Sequence, residues 1–124
     1  MVVLIDKFKD LAPMITRRRL IIEALIDDNI TEELIKQYMI DLSQVMNMTI
    51  VLMPTTNNVE TYGWSAYMSW KESGMHVYTW TQNGNRPSFM SIDIYTCKDF
   101  NIKDVIDFTC KSFKEHISQI TWRE

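Results

Sequence analysis

The chain has 124 residues, of which 46% are hydrophobic and 23% are charged, and its net charge is only -3. These values predict one folded domain over residues 1–124 and give no support for a nucleic-acid or membrane partner. Two cysteines without a secretory signal favour a reducing cytoplasm over a disulfide framework. Two histidines and no close Cys/His cluster indicate no metal site.

The N-terminal third predicts an arm, a strand and a helix. Residues 1–16 are expected to be extended or loosely docked, and the apolar run Leu20–Ile26 predicts a first strand. Thr31 is a typical N-cap, and Asn47 a typical helix stop. The helix between them has one apolar face, formed by Leu34, Ile35, Tyr38, Met39, Leu42, Val45 and Met46.

Four further features flank the middle of the chain. The β-branched stretch Thr49–Met53 predicts a second strand that ends at Pro54, and the polar run Thr55–Asn58 predicts a loop. Near the C terminus, Asn101 predicts the cap of a second amphipathic helix, and Ser118–Trp122 predicts a closing strand.

Three strands of period two lie between these flanks, at Ser65–Lys71, Met75–Trp80 and Met90–Cys97, with a turn at Gln82–Pro87. One face of these strands is apolar and suits packing under helices. The other face, called the mixed face below, suits a second sheet or a pocket lining. It carries Ser65, Tyr67, Ser69, His76, Tyr78, Trp80, Ser91, Asp93, Tyr95 and Cys97.

The element order is therefore β-α-β-β-β-β-α-β. It predicts an α/β protein of the α+β kind, a two-layer sandwich in which a largely antiparallel sheet carries two helices on one face.

The bond between Glu72 and Ser73 is a candidate for self-cleavage. A serine hydroxyl can attack the preceding carbonyl, and elimination from the resulting ester, followed by hydrolysis, leaves an N-terminal pyruvoyl group. Such a bond must be strained and accessible, and it needs an oxyanion donor and a base nearby. Gly74 would add room and backbone freedom. The simpler interpretation is that Ser73 and Gly74 form an ordinary hairpin turn.

Several motifs in this region resemble the prokaryotic S-adenosylmethionine decarboxylases, which are pyruvoyl enzymes of polyamine synthesis. The family pattern of Glu-Ser, then Thr-Trp, then Asp-x-aromatic-Thr-Cys is matched by Glu72-Ser73, Thr79-Trp80 and Asp93–Cys97. A family serine eight residues before the cleavage serine is matched by Ser65, with Gly63 just ahead of it.

The resemblance implies a role for each matched residue. Ser73 would become the pyruvoyl cofactor, Ser65 would assist cleavage, and Cys97 would donate the proton that completes decarboxylation. The pyruvoyl ketone would form a Schiff base with a small-molecule substrate amine and act as an electron sink. Glu72 would supply the cleaved carbonyl and contact the substrate. The family's homodimers imply a dimer in which the mixed face lies at the interface.

Three positions depart from the family pattern. The family histidine five residues after the cleavage serine is Tyr78, although His76 on the same strand face is placed to substitute for it. A phenylalanine that stacks on adenine is Val59, and a glutamate that contacts ribose is Gln82. Tyr62 or Trp64 would be near enough in sequence to replace the lost stacking at Val59.

These departures leave three hypotheses open. The first is a decarboxylase of S-adenosylmethionine. The second is a related pyruvoyl decarboxylase that acts on ornithine or arginine. The third is an uncleaved, inactive homologue that binds a ligand or a partner chain.

Overall fold

The computed structural model describes residues 1–124 and contains six strands and two helices. They are β1 (Arg18–Ile26), α1 (Glu32–Val45), β2 (Ile50–Val59), β3 (Gly63–Trp70), β4 (Ser73–Trp80), β5 (Phe89–Thr96), α2 (Ile102–Ser112) and β6 (Ile117–Arg123). The predicted element order is confirmed.

All six strands belong to one sheet in the order β2-β3-β4-β5-β1-β6, and every neighbouring pair is antiparallel. Both helices pack on the same face of the sheet, and one core of 21 buried hydrophobic residues lies between the two layers. The structure is therefore the α+β sandwich that the sequence predicts. β4 and β5, which follow the Glu72–Ser73 bond, lie in the middle of the sheet.

Each helix begins where its capping residue satisfies a free backbone amide. The Thr31 hydroxyl accepts a hydrogen bond from the Leu34 amide at 3.2 Å, and the Asn101 side chain accepts one from the Asp104 amide at 3.0 Å. The helices also contact each other through a buried hydrogen bond of 2.7 Å between the hydroxyls of Tyr38 and Thr109.

β2 corrects two sequence-based predictions. It does not end at Pro54, and residues Thr55–Asn58 form part of the strand instead of a loop. A proline is tolerated here because β2 is an edge strand, so one side of its backbone needs no partner. The pairing with β3 also shifts between Ile50 and Leu52 and between Leu52 and Thr55, which accommodates the missing amide of Pro54.

The predicted alternation along β3, β4 and β5 is confirmed. The apolar face is buried beneath the helices, through Ala66, Met68, Trp70, Met75, Val77, Met90, Ile92 and Ile94. No helix packs on the mixed face: Tyr67 and Asp93 are exposed, and Tyr78, Trp80 and Tyr95 are half-buried.

The N-terminal arm, residues 1–17, contains no helix or strand, as predicted. Its apolar side chains are exposed, with Phe8 at 94% exposure. The arm enters β1 at Arg18, which forms salt bridges with Asp99 and Glu124. None of the helices has both the length and the apolar character needed to cross a membrane.

Candidate active site

The Glu72–Ser73 bond lies at the junction of a tight turn and a central strand. Trp70 pairs with Ser73, so the turn between β3 and β4 consists of Lys71 and Glu72 alone. Ser73 and Gly74 are the first two residues of β4, and the simpler interpretation that they form the turn is wrong. The hairpin is attached to the core because the Trp70 indole N–H donates a 2.8 Å hydrogen bond to the Ser43 hydroxyl on α1.

Ser73 has a strained backbone. Its φ is +133°, a value that residues with a Cβ atom rarely adopt. Strain of this kind costs about 1–3 kcal/mol and persists only where surrounding contacts enforce it. Of the two reasons predicted for Gly74, the structure supports room and not backbone freedom: a Cβ there would lie 2.5 Å from the carbonyl oxygen of Met68. Close approach of β3, and not a positive φ, therefore selects glycine at position 74.

The carbonyl group of Glu72 has one defined donor. The backbone amide of Cys97 donates a 2.8 Å hydrogen bond to the Glu72 oxygen. This contact follows from the sheet register, because Ser73 pairs with Thr96 and brings the end of β5 beside the turn. If a nucleophile attacked the Glu72 carbonyl, the developing negative charge would form on the oxygen that this amide already contacts.

The side chain of Glu72 points to the start of β2. One carboxylate oxygen accepts a 2.9 Å hydrogen bond from the Thr49 amide, and the other accepts a 3.3 Å hydrogen bond from the Thr49 hydroxyl. The Thr49 amide is the main reason that the pKa of Glu72 is lowered, and Lys98 adds a smaller effect. The carboxylate is thus ionised and bound within the chain at neutral pH.

Ser73 opens into a cleft of about 460 Å³ on the mixed face, called the processing cleft below. It is lined by Arg19, Leu20, Ile21, Tyr67, Ser73, Gly74, His76, Asp93, Ile94 and Tyr95. The His76 ring lies 4.7 Å from the Tyr67 ring, and Asp93 is its cross-strand neighbour. The Arg19 guanidinium lies 4.4 Å from the centre of the Tyr95 ring. Tyr95 pairs with Arg19 on β1 and with Gly74 on β4, so these three residues are cross-strand neighbours.

A second cleft of about 200 Å³, called the aromatic cleft below, lies farther along β3 and β4. It is lined by Val59, Tyr62, Gly63, Trp64, Ser65, Tyr78, Thr79 and Trp80. Ser65 pairs directly with Tyr78, which is five residues from Ser73, about 16 Å away at ~3.3 Å per strand residue. Within one chain, the Ser65 hydroxyl is therefore too far away to contact the Glu72–Ser73 bond.

The structure thus divides the sequence-predicted residues into two groups. Glu72, Ser73 and Cys97 are brought together, and His76 lies about 10 Å along β4 from Ser73 in the processing cleft. Ser65, Tyr78 and Val59 lie together in the aromatic cleft, which Tyr62 and Trp64 also line.

Gln82 lines neither of these clefts. It is exposed after β4, and its backbone amide donates a 3.3 Å hydrogen bond to Asp28. Sequence reasoning also missed Arg19 and Thr49, which contribute to the site from β1 and from the residue before β2. The run of three arginines at residues 17–19 was the only available signal for Arg19, and Thr49 had none, since its contact with Glu72 spans 23 residues.

These features define a class of protein: an α+β sandwich with a strained Glu-Ser bond at a central hairpin, beside a cysteine and an open cleft. A comparison with protein families matches residues 22–123 to the S-adenosylmethionine decarboxylase family. The match covers most of the chain, and the chain belongs to this family. No curated protein matches the chain in a sequence comparison.

Proposed function

We propose that the chain is a pyruvoyl-dependent decarboxylase of S-adenosylmethionine that cleaves itself between Glu72 and Ser73. The observation that carries this proposal is the combination of a strained Ser73 and a Glu72 carbonyl oxygen that accepts a hydrogen bond from the Cys97 amide. Membership in the family supports it. The family resemblance implies that such an enzyme serves polyamine synthesis.

Self-cleavage uses only this chain and one water molecule. The Ser73 oxygen attacks the Glu72 carbonyl carbon, the peptide C–N bond breaks, and the Glu72 acyl group moves to the Ser73 oxygen as an ester. Loss of the Ser73 α-proton expels Glu72 as a free carboxylate and leaves dehydroalanine at position 73. Water then hydrolyses this group to a ketone and releases ammonia. The Cys97 amide stabilises the oxyanion of the first step.

The residues around Ser73 fit the pyruvoyl group that this reaction produces, because the strained residue opens into the processing cleft. The group supplies an electron sink for the electron pair that is released when a carboxylate leaves an amino acid. The Cys97 thiol is exposed, and the backbone of the same residue contacts Glu72, so the thiol is assigned the donation of the proton that the α-carbon then takes up. Arg19, held over Tyr95, provides a positive charge that orients the substrate carboxylate.

We infer that the active enzyme is a homodimer in which the mixed faces of two chains meet. The mixed face is rich in aromatic groups and has no covering layer in one chain, which favours contact with a second sheet. Ser65 and the aromatic cleft lie too far from Ser73 to act on it within one chain. A second chain, turned about a two-fold axis, would present its Ser65 and aromatic cleft to the processing cleft of the first.

The aromatic cleft is the feature that favours adenosylmethionine over ornithine or arginine. Tyr62, Trp64, Tyr78 and Trp80 offer faces on which an adenine ring can stack, at about 1–3 kcal/mol per stacked base. Release of carbon dioxide from each carboxyl-labelled amino acid tests this assignment. Turnover of adenosylmethionine alone is expected, whereas turnover of ornithine or arginine instead would show a different substrate.

One substitution favours a second candidate, an uncleaved homologue that binds a ligand or partner chain. Tyr78 stands where the family has a histidine, and tyrosine does not provide the base that imidazole does near neutral pH. His76 lies in the processing cleft and offers an imidazole there. Loss of cleavage in a His76→Gln variant would support the hypothesis that His76 takes the role of the family histidine. A wild-type chain that stays full-length would favour the binding protein.

A further inference from the structure

The turn that precedes the proposed cleavage bond is held from outside the hairpin by Thr49 as well as by the Cys97 amide. Its amide and hydroxyl bind the Glu72 carboxylate at 2.9 and 3.3 Å, and its carbonyl oxygen accepts a 2.8 Å hydrogen bond from the Lys71 amide. Both residues of the two-residue turn are therefore bonded to the same residue. These three hydrogen bonds are called the Thr49 clasp below.

Thr49 is itself firmly attached to the end of α1. The preceding residue, Met48, is buried, and its amide donates a 2.8 Å hydrogen bond to the Ser43 carbonyl. Asn47 turns the chain with a φ of +57°, and its carbonyl oxygen accepts a 2.6 Å hydrogen bond from the Lys98 ammonium group. Thr49 and the Cys97 amide both hold Glu72. Because Lys98 follows Cys97 and Asn47 lies two residues before Thr49, the Lys98–Asn47 hydrogen bond links these two supports.

Neither Lys71 nor Glu72 has the positive φ of the favoured two-residue hairpin turns, and the positive φ falls on Ser73 instead, so contacts from outside the hairpin help to hold this turn. The strained φ of Ser73 would relax if the residue before it were free to rotate. Glu72 is not free, because the clasp fixes its side chain on one side and the Cys97 amide fixes its carbonyl oxygen on the other. The strain at Ser73 is therefore enforced from both ends of Glu72.

We propose that Thr49 and the Glu72 side chain are positioning residues for self-cleavage, which hold the Glu72–Ser73 bond in its strained, reactive conformation. This inference rests on the proposed function. It gives the Glu72 carboxylate a role within the chain in place of the substrate contact expected from the sequence. The carboxylate is suited to this role, since hydrogen bonds to an ionised group are stronger than those between neutral groups.

The clasp acts before any bond is broken. Its effect on cleavage can therefore be measured separately from any effect on decarboxylation. In a Glu72→Ala variant the turn loses all of its contacts with the carboxylate. Cleavage of purified precursor, followed on a denaturing gel, is expected to slow by about 10-fold or more, since ~1.4 kcal/mol of lost strain corresponds to one factor of ten. Glu72→Gln keeps one acceptor oxygen and is expected to be intermediate.

Variants of Thr49 should slow cleavage by smaller factors than Glu72→Ala does. Thr49→Val removes only the longer hydroxyl bond and keeps the amide, so cleavage is expected to slow by no more than about 3-fold, the effect of a weak hydrogen bond. Thr49→Ser restores the hydroxyl and is expected to cleave like the wild type. The matched control is Glu60→Ala, which removes an exposed glutamate from the connection between β2 and β3 and is expected to leave the rate unchanged.

Two measurements distinguish positioning from mere stabilisation. The same variants are made in a Ser73→Ala chain, which cannot cleave, and their unfolding in urea is compared. Hydroxylamine, which cuts an accumulated ester, is added to the cleavage-competent variants. Positioning predicts a large loss of rate with a small loss of stability, and no rescue by hydroxylamine, because the ester does not form. If Glu72→Ala does not fold, Glu72→Gln and Thr49→Val carry the comparison.

The outcomes are distinct. Wild-type cleavage with an equally fast Glu72→Ala variant overturns the positioning role and leaves the proposed function intact. A rate loss matched by an equal loss of stability, or rescue by hydroxylamine, also overturns it. A wild-type chain that never cleaves overturns the proposed function and the positioning role together.

Discussion

The backbone amide of Cys97 donates a 2.8 Å hydrogen bond to the carbonyl oxygen of Glu72, 25 positions earlier in the chain. One residue therefore offers two groups to the candidate chemistry. Its amide contacts the carbonyl oxygen of the proposed cleavage bond, and its thiol is exposed and is the proposed donor in a later proton transfer. The two groups belong to different steps, so substitutions that affect only one of them should separate those steps.

Replacing the Cys97 side chain should leave cleavage intact and impair decarboxylation. A Cys97→Ser variant keeps the backbone amide, so the 72-residue and 52-residue fragments should form at nearly the wild-type rate. Decarboxylation should fall by about 10²–10⁴-fold, the usual contribution of a positioned proton donor. Cys110→Ser, on α2, is the matched control and should affect neither step.

Replacing Cys97 by proline should slow cleavage, in contrast to replacing it by serine. Proline lacks the amide hydrogen, and loss of one oxyanion donor typically lowers a rate by about 10²–10³-fold. Cleavage on a denaturing gel is the measurement, with folding checked in a Ser73→Ala chain. Wild-type cleavage in a well-folded Cys97→Pro variant would contradict the role given to this amide.

Gly74 should be intolerant of even one added methyl group. In Gly74→Ala the new Cβ would lie 2.5 Å from the Met68 carbonyl oxygen, so β3 and β4 must separate locally. We expect the free energy of unfolding of a Ser73→Ala chain to fall by about 1–3 kcal/mol, as for other overpacked sites. Gly84→Asn is the control, since a Cβ at Gly84 would meet no atom within 4 Å beyond its chain neighbours, and asparagine tolerates the φ of +57°. Equal free energies of unfolding for the Gly74→Ala and Gly84→Asn variants would contradict this prediction.

Ser65 should act on the cleavage bond of the other chain. A Ser65→Ala chain and a Ser73→Ala chain should each fail to cleave efficiently alone. When the two are co-expressed and purified by two different tags, the mixed dimer should cleave the Ser65→Ala chain, because its partner retains Ser65. No cleavage in the mixed dimer would mean that Ser65 acts within its own chain or has no role.

The stability contributed by the Glu72 carboxylate should disappear at low pH. The pKa of Glu72 is lowered in the folded chain, chiefly by the Thr49 amide. Its contribution is therefore complete above the unfolded value of about 4.3 and is lost as the pH falls through the lower folded value. Other carboxylates with lowered pKa values, such as Asp10 and Asp27, add a background to this dependence.

The measurement compares two uncleavable chains, Ser73→Ala and Ser73→Ala/Glu72→Gln, from about pH 6 to about pH 3. Their difference in the free energy of unfolding isolates Glu72, and it should narrow as the pH falls. A difference that does not change with pH would show that the ionised carboxylate contributes nothing.

The sequence predicted the sandwich because each element carries its own periodic signal. The capped helix after Thr31 and the alternation from Met75 to Trp80 are local patterns that the burial of one face requires. β2 was predicted to be too short, because Pro54 is a valid stop signal everywhere except at an edge or a bulge. Whether a strand lies at an edge depends on the strand order of the whole sheet.

The site was predictable only in part, for a similar reason. The motifs shared with the decarboxylase family identified Glu72, Ser73 and Cys97, which the sheet register brings together. Spacing gave no indication that Thr49 would bind the Glu72 carboxylate, because that contact depends on how α1 returns to the sheet. The family resemblance also implied that Ser65 assists cleavage at Ser73, whereas the register separates the two by five residues within one chain.

The mass of the purified wild-type chain, measured after incubation at neutral pH, tests the central claim most directly. Cleavage at the strained Glu72–Ser73 bond predicts two chains, residues 1–72 and residues 73–124. The second should be lighter by one ammonia than a fragment that begins with serine, and it should react with a carbonyl reagent such as phenylhydrazine. The Ser73→Ala chain should stay whole. A single full-length wild-type species that does not react with phenylhydrazine would contradict the account.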